Sequence, residues 1–523
     1  PQAAAEVPTA QTDADGLASL PGAASVDPML KYSGWNPKAP LAVRVIRDGE
    51  VAILPLTEAF SVDTYRASGY EVYATRQQRH GHLKAWGTTA QGVYRAGDTV
   101  PNFAVVPVGN DGSVYVAETH RFRFGVEDDR NHLYWYHDDL AAATTADRLA
   151  LHKKWESKRS HEWMTAKSEL IRYVGGEQPD GTFTTQKVFG DKFNDVLDGT
   201  GAGVMAWDDN VYFACIPKLW MLQDAKNDGV AAQRKVIEEG FGVRVSLSGH
   251  DMNGFAIGPD GRVWGTIGDR GLSLITKEGV PYDYPNQGVV FRFEPDGTGF
   301  EIFHTGLRNP KEIAFDALGN AFTVDNNSDQ GDAARVVYIV EGGDSGWEME
   351  HQAMHTFHRQ IGLDERPPSR WMDEKMWELE NPVQPSYLLP PSAYLTSGPS
   401  GLTYNPGVGF MESEANHFLI CDYRGGAANS GIWSFEMKPK GAGMEMSDSR
   451  QFVWGIGATD VEYSWDGRIF ISDFITGWKA HDDGRLVSLG AGAQTWQAAE
   501  AASAAKIMRA GFEHRSPGEL ANL

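Results

Sequence analysis

Six stretches of the chain repeat one pattern, and this recurrence limits the fold more than any other feature. Each reads as an apolar strand, a polar turn with Gly or Asn, a second strand, and a polar or charged cluster. The clearest copy is GHDMNGFAIGPDGRVWGTIGDRG, from Gly249 to Gly271. The others are FAVVPVGNDGSVYVAETHRF from Phe103, GVMAWDDNVYFACIPKLWML from Gly203, EIAFDALGNAFTVDNNSDQGD from Glu312, GLTYNPGVGFMESEANHFLICDYRGG from Gly401 and DVEYSWDGRIFISDFITG from Asp460. The copies begin near 103, 203, 254, 312, 401 and 460, so three of the five intervals are 51 to 59 residues. That length suits a four-stranded propeller blade with its loops. Further strand pairs, such as GVVFRFEPDGTGFEIFHTG from Gly288, would supply the outer strands of a blade.

The chain is thus expected to be all-β, a six-bladed β-propeller over 98–490. Helical insertions at about 130–168 and 351–398 account for the two long intervals. Residues 1–35 read as a disordered leader, since they are polar and low in complexity. Residues 36–97 form a small strand-rich module around LAVRVIRDGEVAILPL. Residues 491–523 read as an Ala-rich C-terminal helix that would open a helical-repeat region. The chain begins without Met, which suggests a processed or trimmed start.

A propeller explains why charge collects at the hairpin ends. The inner strand starts at one face, runs along the axis and turns, and its partner returns. Residues before the first strand and after the second therefore meet around one channel mouth. There the sequence places His250, Asp251, Asp269, Arg270, Arg308, Asn309, Lys311, Asp325, Asp329, Asp332, Tyr423 and Arg424. Loops are polar in any protein, but His, Arg, Asn and Asp dominate here over Ser and Lys. A pocket at this mouth is the expected functional site.

Composition narrows the chemistry. The formal charge is −23 over 523 residues, which argues against binding nucleic acid through phosphates. No apolar run is long enough to span a membrane. Glycine is abundant, at 58 residues, as many tight turns require. Cys215 and Cys421 each lie in a strand-like apolar run, as buried free thiols or as a long-range disulfide. No CxxCH motif attaches a c-type haem to this chain.

The hairpin at Gly249, then GLRNPKEIAFDALGNAFTVDNNSDQGD, then IVEGGDSGWE, resembles the soluble PQQ-dependent glucose, aldose and sorbosone dehydrogenases. The likeness covers roughly 245–350 and extends weakly to CDYRGGAANSGIWSFEMK. It also resembles the propeller part of large secreted bacterial proteins in which helical repeats and a c-type haem domain follow. The resemblance implies hydride transfer from a sugar or sugar-alcohol group to PQQ, a carbohydrate substrate, a c-type cytochrome acceptor and a periplasmic or extracellular setting. It makes His250 the base and Arg308 a catalytic partner at the quinone. Asn309, Lys311, Arg270, Tyr423 and Arg424 would bind the cofactor. It places Ca²⁺ near DNNSDQGD, with Asp325, Asn327, Asp329 and Asp332 as ligands. Two departures stand out. The family's RNP continues Gln-Gly, where this chain has Lys311-Glu312, and its acidic loop reads Asp-Glu-Ile-Asn. The alternative reading is a propeller without catalysis that binds a glycan, a metal or a protein partner.

Other signals are weaker. DAKNDG, Asp224 to Gly229, has calcium-loop spacing, but Lys235 stands where an EF-hand needs Glu, so it reads as an acidic turn or a partial site. His351, His355 and His358 share a helical face, and His80 and His82 lie close in sequence. Either group could hold a metal, and helix packing is the simpler account of the first.

Overall fold

The computed structural model describes strands at 42–47 and 50–55 and, with short gaps, residues 113–490; the widest gaps are 350–360 and 363–369. The leader, the C-terminal tail, His80, His82 and the 351–358 histidines lie outside the described residues. Two units divide the chain, 1–88 and 89–523. In the first, Ala42–Arg47 and Glu50–Pro55 form an antiparallel hairpin within the LAVRVIRDGEVAILPL segment.

The second unit is a six-bladed β-propeller. Its first blade comprises Val114–Glu118, Glu169–Glu177 and Phe183–Phe193; the strand expected from Phe103 lies outside the described residues. The second runs Val204–Trp207, Asn210–Cys215, Lys218–Gln223 and Gln233–Glu239. The third takes Met252–Ile257, Val263–Ile267, Gly288–Phe293 and Glu301–Leu307, joined by the parallel edge Gly343–Asp344. The fourth has Pro310–Phe315, Ala321–Asp325, Arg335–Ile339 and Ala393–Tyr394. The fifth has Pro399–Tyr404, Phe418–Asp422, Gly431–Lys440 and Gly443–Trp454. The sixth has Ala458–Tyr463, Ile469–Asp473 and Arg485–Leu489. Five of the six repeated hairpins thus open a blade, and the Gly288 pair forms the outer strands of the third.

Period-two alternation builds the ring. In Met252–Ile257, Phe255 and Ile257 join the apolar cluster shared with the second blade, whereas Ala256 joins the one shared with the fourth. Such strands are buried on both faces, so they read as nearly continuous apolar runs. Clusters of this kind lie between every neighbouring pair of blades. The last brings Phe470 of the sixth blade against Val114 and Val174 of the first and closes the circle. Cys215 and Cys421 are free and buried in different clusters, which removes the disulfide reading.

The first insertion is helical, at Tyr136–Ala141 and Thr145–Met164. Within the second, Arg370–Glu374 is a short helix. Among the described residues, no helix is long and apolar enough to cross a membrane. The DAKNDG segment is a turn: Asp224 accepts the backbone N–H groups of Lys226, Asp228 and Gly229.

Candidate functional site

A cavity of about 1520 Å³ opens where the first strands begin, lined by segments of all six blades. Much of the acidity there serves the backbone. Amides at the entry to a first strand have no ladder partner, and a buried amide needs an acceptor. Asp325 Oδ1 accepts from Asn309 N at 2.6 Å and Arg308 N at 3.1 Å. Asp422 Oδ1 accepts from Gly398 N at 2.9 Å and Ser397 N at 3.2 Å. Asp473 Oδ1 accepts from Gly457 N at 3.1 Å and Ile475 N at 2.8 Å. In three successive blades, an aspartate ending the second strand ties down the entry to the first.

Asp269 has a different task. Its Oδ1 meets His250 Nδ1 at 2.8 Å and accepts from Ser246 Oγ at 3.2 Å, and its Oδ2 accepts from Trp347 Nε1 at 2.9 Å. Accepting from Ser246 and Trp347, Asp269 acts as an acceptor throughout, so the proton shared with His250 sits on Nδ1. His250 is buried and lines the channel, and its Nε2 has no hydrogen-bond partner among the described residues. Burial lowers its pKa below the usual 6.5, against the upward pull of Asp269. A neutral imidazole with an oriented Nδ1–H and a vacant Nε2 lone pair is built to accept a proton.

Arg308 enters from the next blade. Its Nη2 donates to Asp329 Oδ2 at 3.0 Å, and its guanidinium carbon lies 5.6 Å from the Trp347 ring centroid. Its Nε and Nη1 are buried without an acceptor among the described residues. Unmet donors of a buried guanidinium are costly, and an oxygen-bearing ligand would relieve that cost. Lys311 Nζ donates to the Gly249 carbonyl and to Asn253 Oδ1 at 3.2 Å, and burial pulls its pKa down to about 8. Asn309 Oδ1 accepts from Asn253 Nδ2 at 3.2 Å.

Other expected residues are placed differently. Arg270 does not line the cavity. It is buried behind the wall, where it holds Asp251 and donates to the Arg244 carbonyl at 3.0 Å. Tyr423 lines the mouth, but its hydroxyl is spent on the Gly477 carbonyl. Arg424 lines it too, with Nε at 3.0 Å and Nη2 at 2.5 Å from Asp422 Oδ2.

The DNNSDQGD loop folds on itself. Asp325 is engaged by Arg308, Asn309 and Arg335, Asp329 by Arg308, and Asp332 by Ser328 N and Oγ. Asn327 donates to the Asp332 carbonyl at 3.1 Å. Asp325, Asp329 and Asp332 do not gather around a common point. Among the described residues, the carboxylates that do so are Glu312, Asp460 and Glu462, whose oxygens lie within 4.8 Å of one another inside the channel. Burial and mutual repulsion raise the pKa of Glu312 well above 4.5.

Sequence reasoning misses the part played by two residues. It places Asp269 at the mouth without a role, although the position explains one: a hairpin returns its last residues beside its first, and Met252 pairs with Ile267. Arg130 belongs to the insertion and lines the mouth. No sequence pattern links it to His250.

A family model described as a domain of unknown function, DUF7133, matches residues 95–454. No curated protein matches the chain. Among solved structures, an oxidoreductase (glucose dehydrogenase) from Thermus thermophilus is similar at 16% identity, over 61% of this chain and 90% of that one, with a TM-score of 0.41. The PQQ-bound aldose sugar dehydrogenase of Streptomyces coelicolor is similar at 18% identity, over 61% and 87%, with a TM-score of 0.39. The PQQ domain of pyranose dehydrogenase from Coprinopsis cinerea is similar at 12% identity, over 59% and 88%, with a TM-score of 0.39.

Proposed function

The chain belongs to the family described as a domain of unknown function, DUF7133, and from that premise we propose that its channel mouth oxidises a carbohydrate hydroxyl with a quinone cofactor. The observation that carries the reading is the Asp269–His250 pair, buried at the mouth with Nε2 unbonded among the described residues. His250 Nε2 takes the hydroxyl proton, and the Asp269 carboxylate steadies the imidazolium that results. PQQ, when bound, would supply the two-electron acceptor that takes hydride from the carbinol carbon. The orphaned Nε and Nη1 of Arg308 fit a ligand rich in oxygens, and Lys311 and Asn309 lie beside it on the same blade entry. Arg424 would meet a cofactor carboxylate, a group its guanidinium fork matches. A cytochrome acceptor and a periplasmic or extracellular setting belong to the same reading.

Calcium fits less well. The loop's carboxylates are engaged by arginines and amides, which a cation there would have to displace. Chelation by EDTA should accordingly leave the melting temperature unchanged.

The test is titration of the purified chain with PQQ, followed by dye reduction with a panel of aldoses. Saturable PQQ binding and sugar-dependent reduction are expected. Neither PQQ binding nor turnover would leave a propeller that binds without catalysing.

A further inference from the structure

Three arginines of the mouth share one construction. Arg130, Arg424 and Arg485 each lay the Nε–Nη2 edge of the guanidinium on a buried aspartate, respectively Asp128, Asp422 and Asp473. The aspartates are 4%, 0% and 0% exposed, whereas the arginines are 42%, 39% and 63% exposed. All three arginines line the cavity, and their Nη1 groups have no partner among the described residues. In a chain of net charge −23, three pinned, accessible guanidiniums thus open onto one cavity.

Two of the three, Arg130 and Arg485, have no part in the cofactor reading above. We propose that they receive the carboxylate or sulfate groups of an anionic oligosaccharide, which sets the substrate class; the inference rests on the carbohydrate reading. A neutral sugar presents hydroxyls, which amides and carboxylates serve well. A free guanidinium edge matches an anionic oxygen group, and pinning by aspartate means little order remains to be imposed on binding. Arg130 is also tied to the base. Asp128 accepts from Ser248 N and Oγ, both at 3.0 Å, and Ser248 lies two residues before His250. Arg130 is thus anchored to the entry of the third blade, and Arg485 belongs to the sixth. These blades face each other across a six-membered ring, so a ligand reaching both must exceed a single sugar ring.

The test is calorimetric titration of the purified full chain with three oligosaccharides of equal length: one bearing glucuronate, one bearing sulfate esters and one neutral. The acidic ligands should bind about a hundred-fold tighter, about ten-fold for each of the two arginines, and added salt should shrink that preference. The carboxylate and sulfate arms show which group is read. Arg130→Gln and Arg485→Gln should each cut the acidic-to-neutral ratio about ten-fold, and the Lys variants should keep part of it. Arg485 is largely exposed, so its variant stays informative even if Arg130→Gln loosens the insertion. Equal affinity for acidic and neutral ligands, or an unchanged ratio in Arg485→Gln, overturns the proposal and leaves the carbohydrate reading standing. Binding of no saccharide by either the bare or the PQQ-loaded chain overturns both.

Discussion

The chemistry proposed for this mouth turns on one imidazole and the carboxylate behind it. His250→Ala should lower turnover roughly 10²–10⁴-fold in a PQQ-loaded dye-reduction assay, the usual contribution of a positioned base. Asp269→Asn should lower it too, since an amide can donate to Nδ1 and leave the proton on Nε2. The pH profile gives a second readout. His250 is held below the ordinary imidazole pKa of 6.5 and acts only when neutral, so kcat/KM should fall as pH drops through that lowered value. Asp269 pulls this pKa upward, so Asp269→Asn should move the acid limb to lower pH. On the alkaline side Lys311 loses its charge near pH 8, and activity that uses the cation should decline there.

At the scale of the strand, the channel holds a feature with no counterpart in the proposed chemistry. Glu312, on the first strand of the fourth blade, meets Asp460 and Glu462 on that of the sixth. Glycines make the approach feasible. A Cβ at Gly254 would lie 2.2 Å from Glu312 Oε1, and one at Gly401 would lie 2.3 Å from Asp460 Oδ1. Burial raises the pKa values of all three carboxyls, and repulsion from Asp460 adds to it at Glu312 and Glu462. Raised values mean that the folded state binds more protons than the unfolded one. Stability from this cluster is therefore full below the ordinary carboxylate range and is lost as pH rises through the elevated values. Glu312→Gln should raise the melting temperature at pH 8 and change it little at pH 4. Thermal scans of both proteins across that range would measure the difference. Gly254→Ala should destabilise the fold at either pH, because the added methyl meets Glu312 directly.

For the whole molecule, closure is the decisive event. Each blade is a sheet with two apolar faces, and neither is covered until its neighbours are present. The contact of Phe470 with Val114 and Val174 covers the last pair of faces. Phe470→Ala should cost about 3–5 kcal/mol, as large-to-small changes in a core do. A ring that closes cooperatively should still unfold in one step, so circular dichroism and tryptophan fluorescence should give coincident denaturation midpoints. Separate midpoints would mean that blades unfold individually.

The sequence alone determined the repeat, and with it the fold. Five of the six hairpins open blades where the pattern put them, because period-two burial and Gly-containing turns are local properties that a strand carries wherever it lies. The same reasoning brought His250, Arg308, Asn309, Lys311, Tyr423 and Arg424 to one mouth, since a hairpin must return to the face it left. What those groups touch was settled only by the tertiary structure. Arg270 follows its strand as the pattern demands, yet it turns behind the wall toward Asp251, for a rotamer is chosen by its surroundings. The aspartates of DNNSDQGD read as cation ligands, but blade-entry amides and arginines engage Asp325 and Asp329, and Ser328 of the same loop engages Asp332. Arg130 reaches the mouth because its insertion docks on the entry of the third blade, where Asp128 meets Ser248, 120 residues away. Such a contact leaves no periodicity in the chain, and nothing short of the folded ring could have placed it.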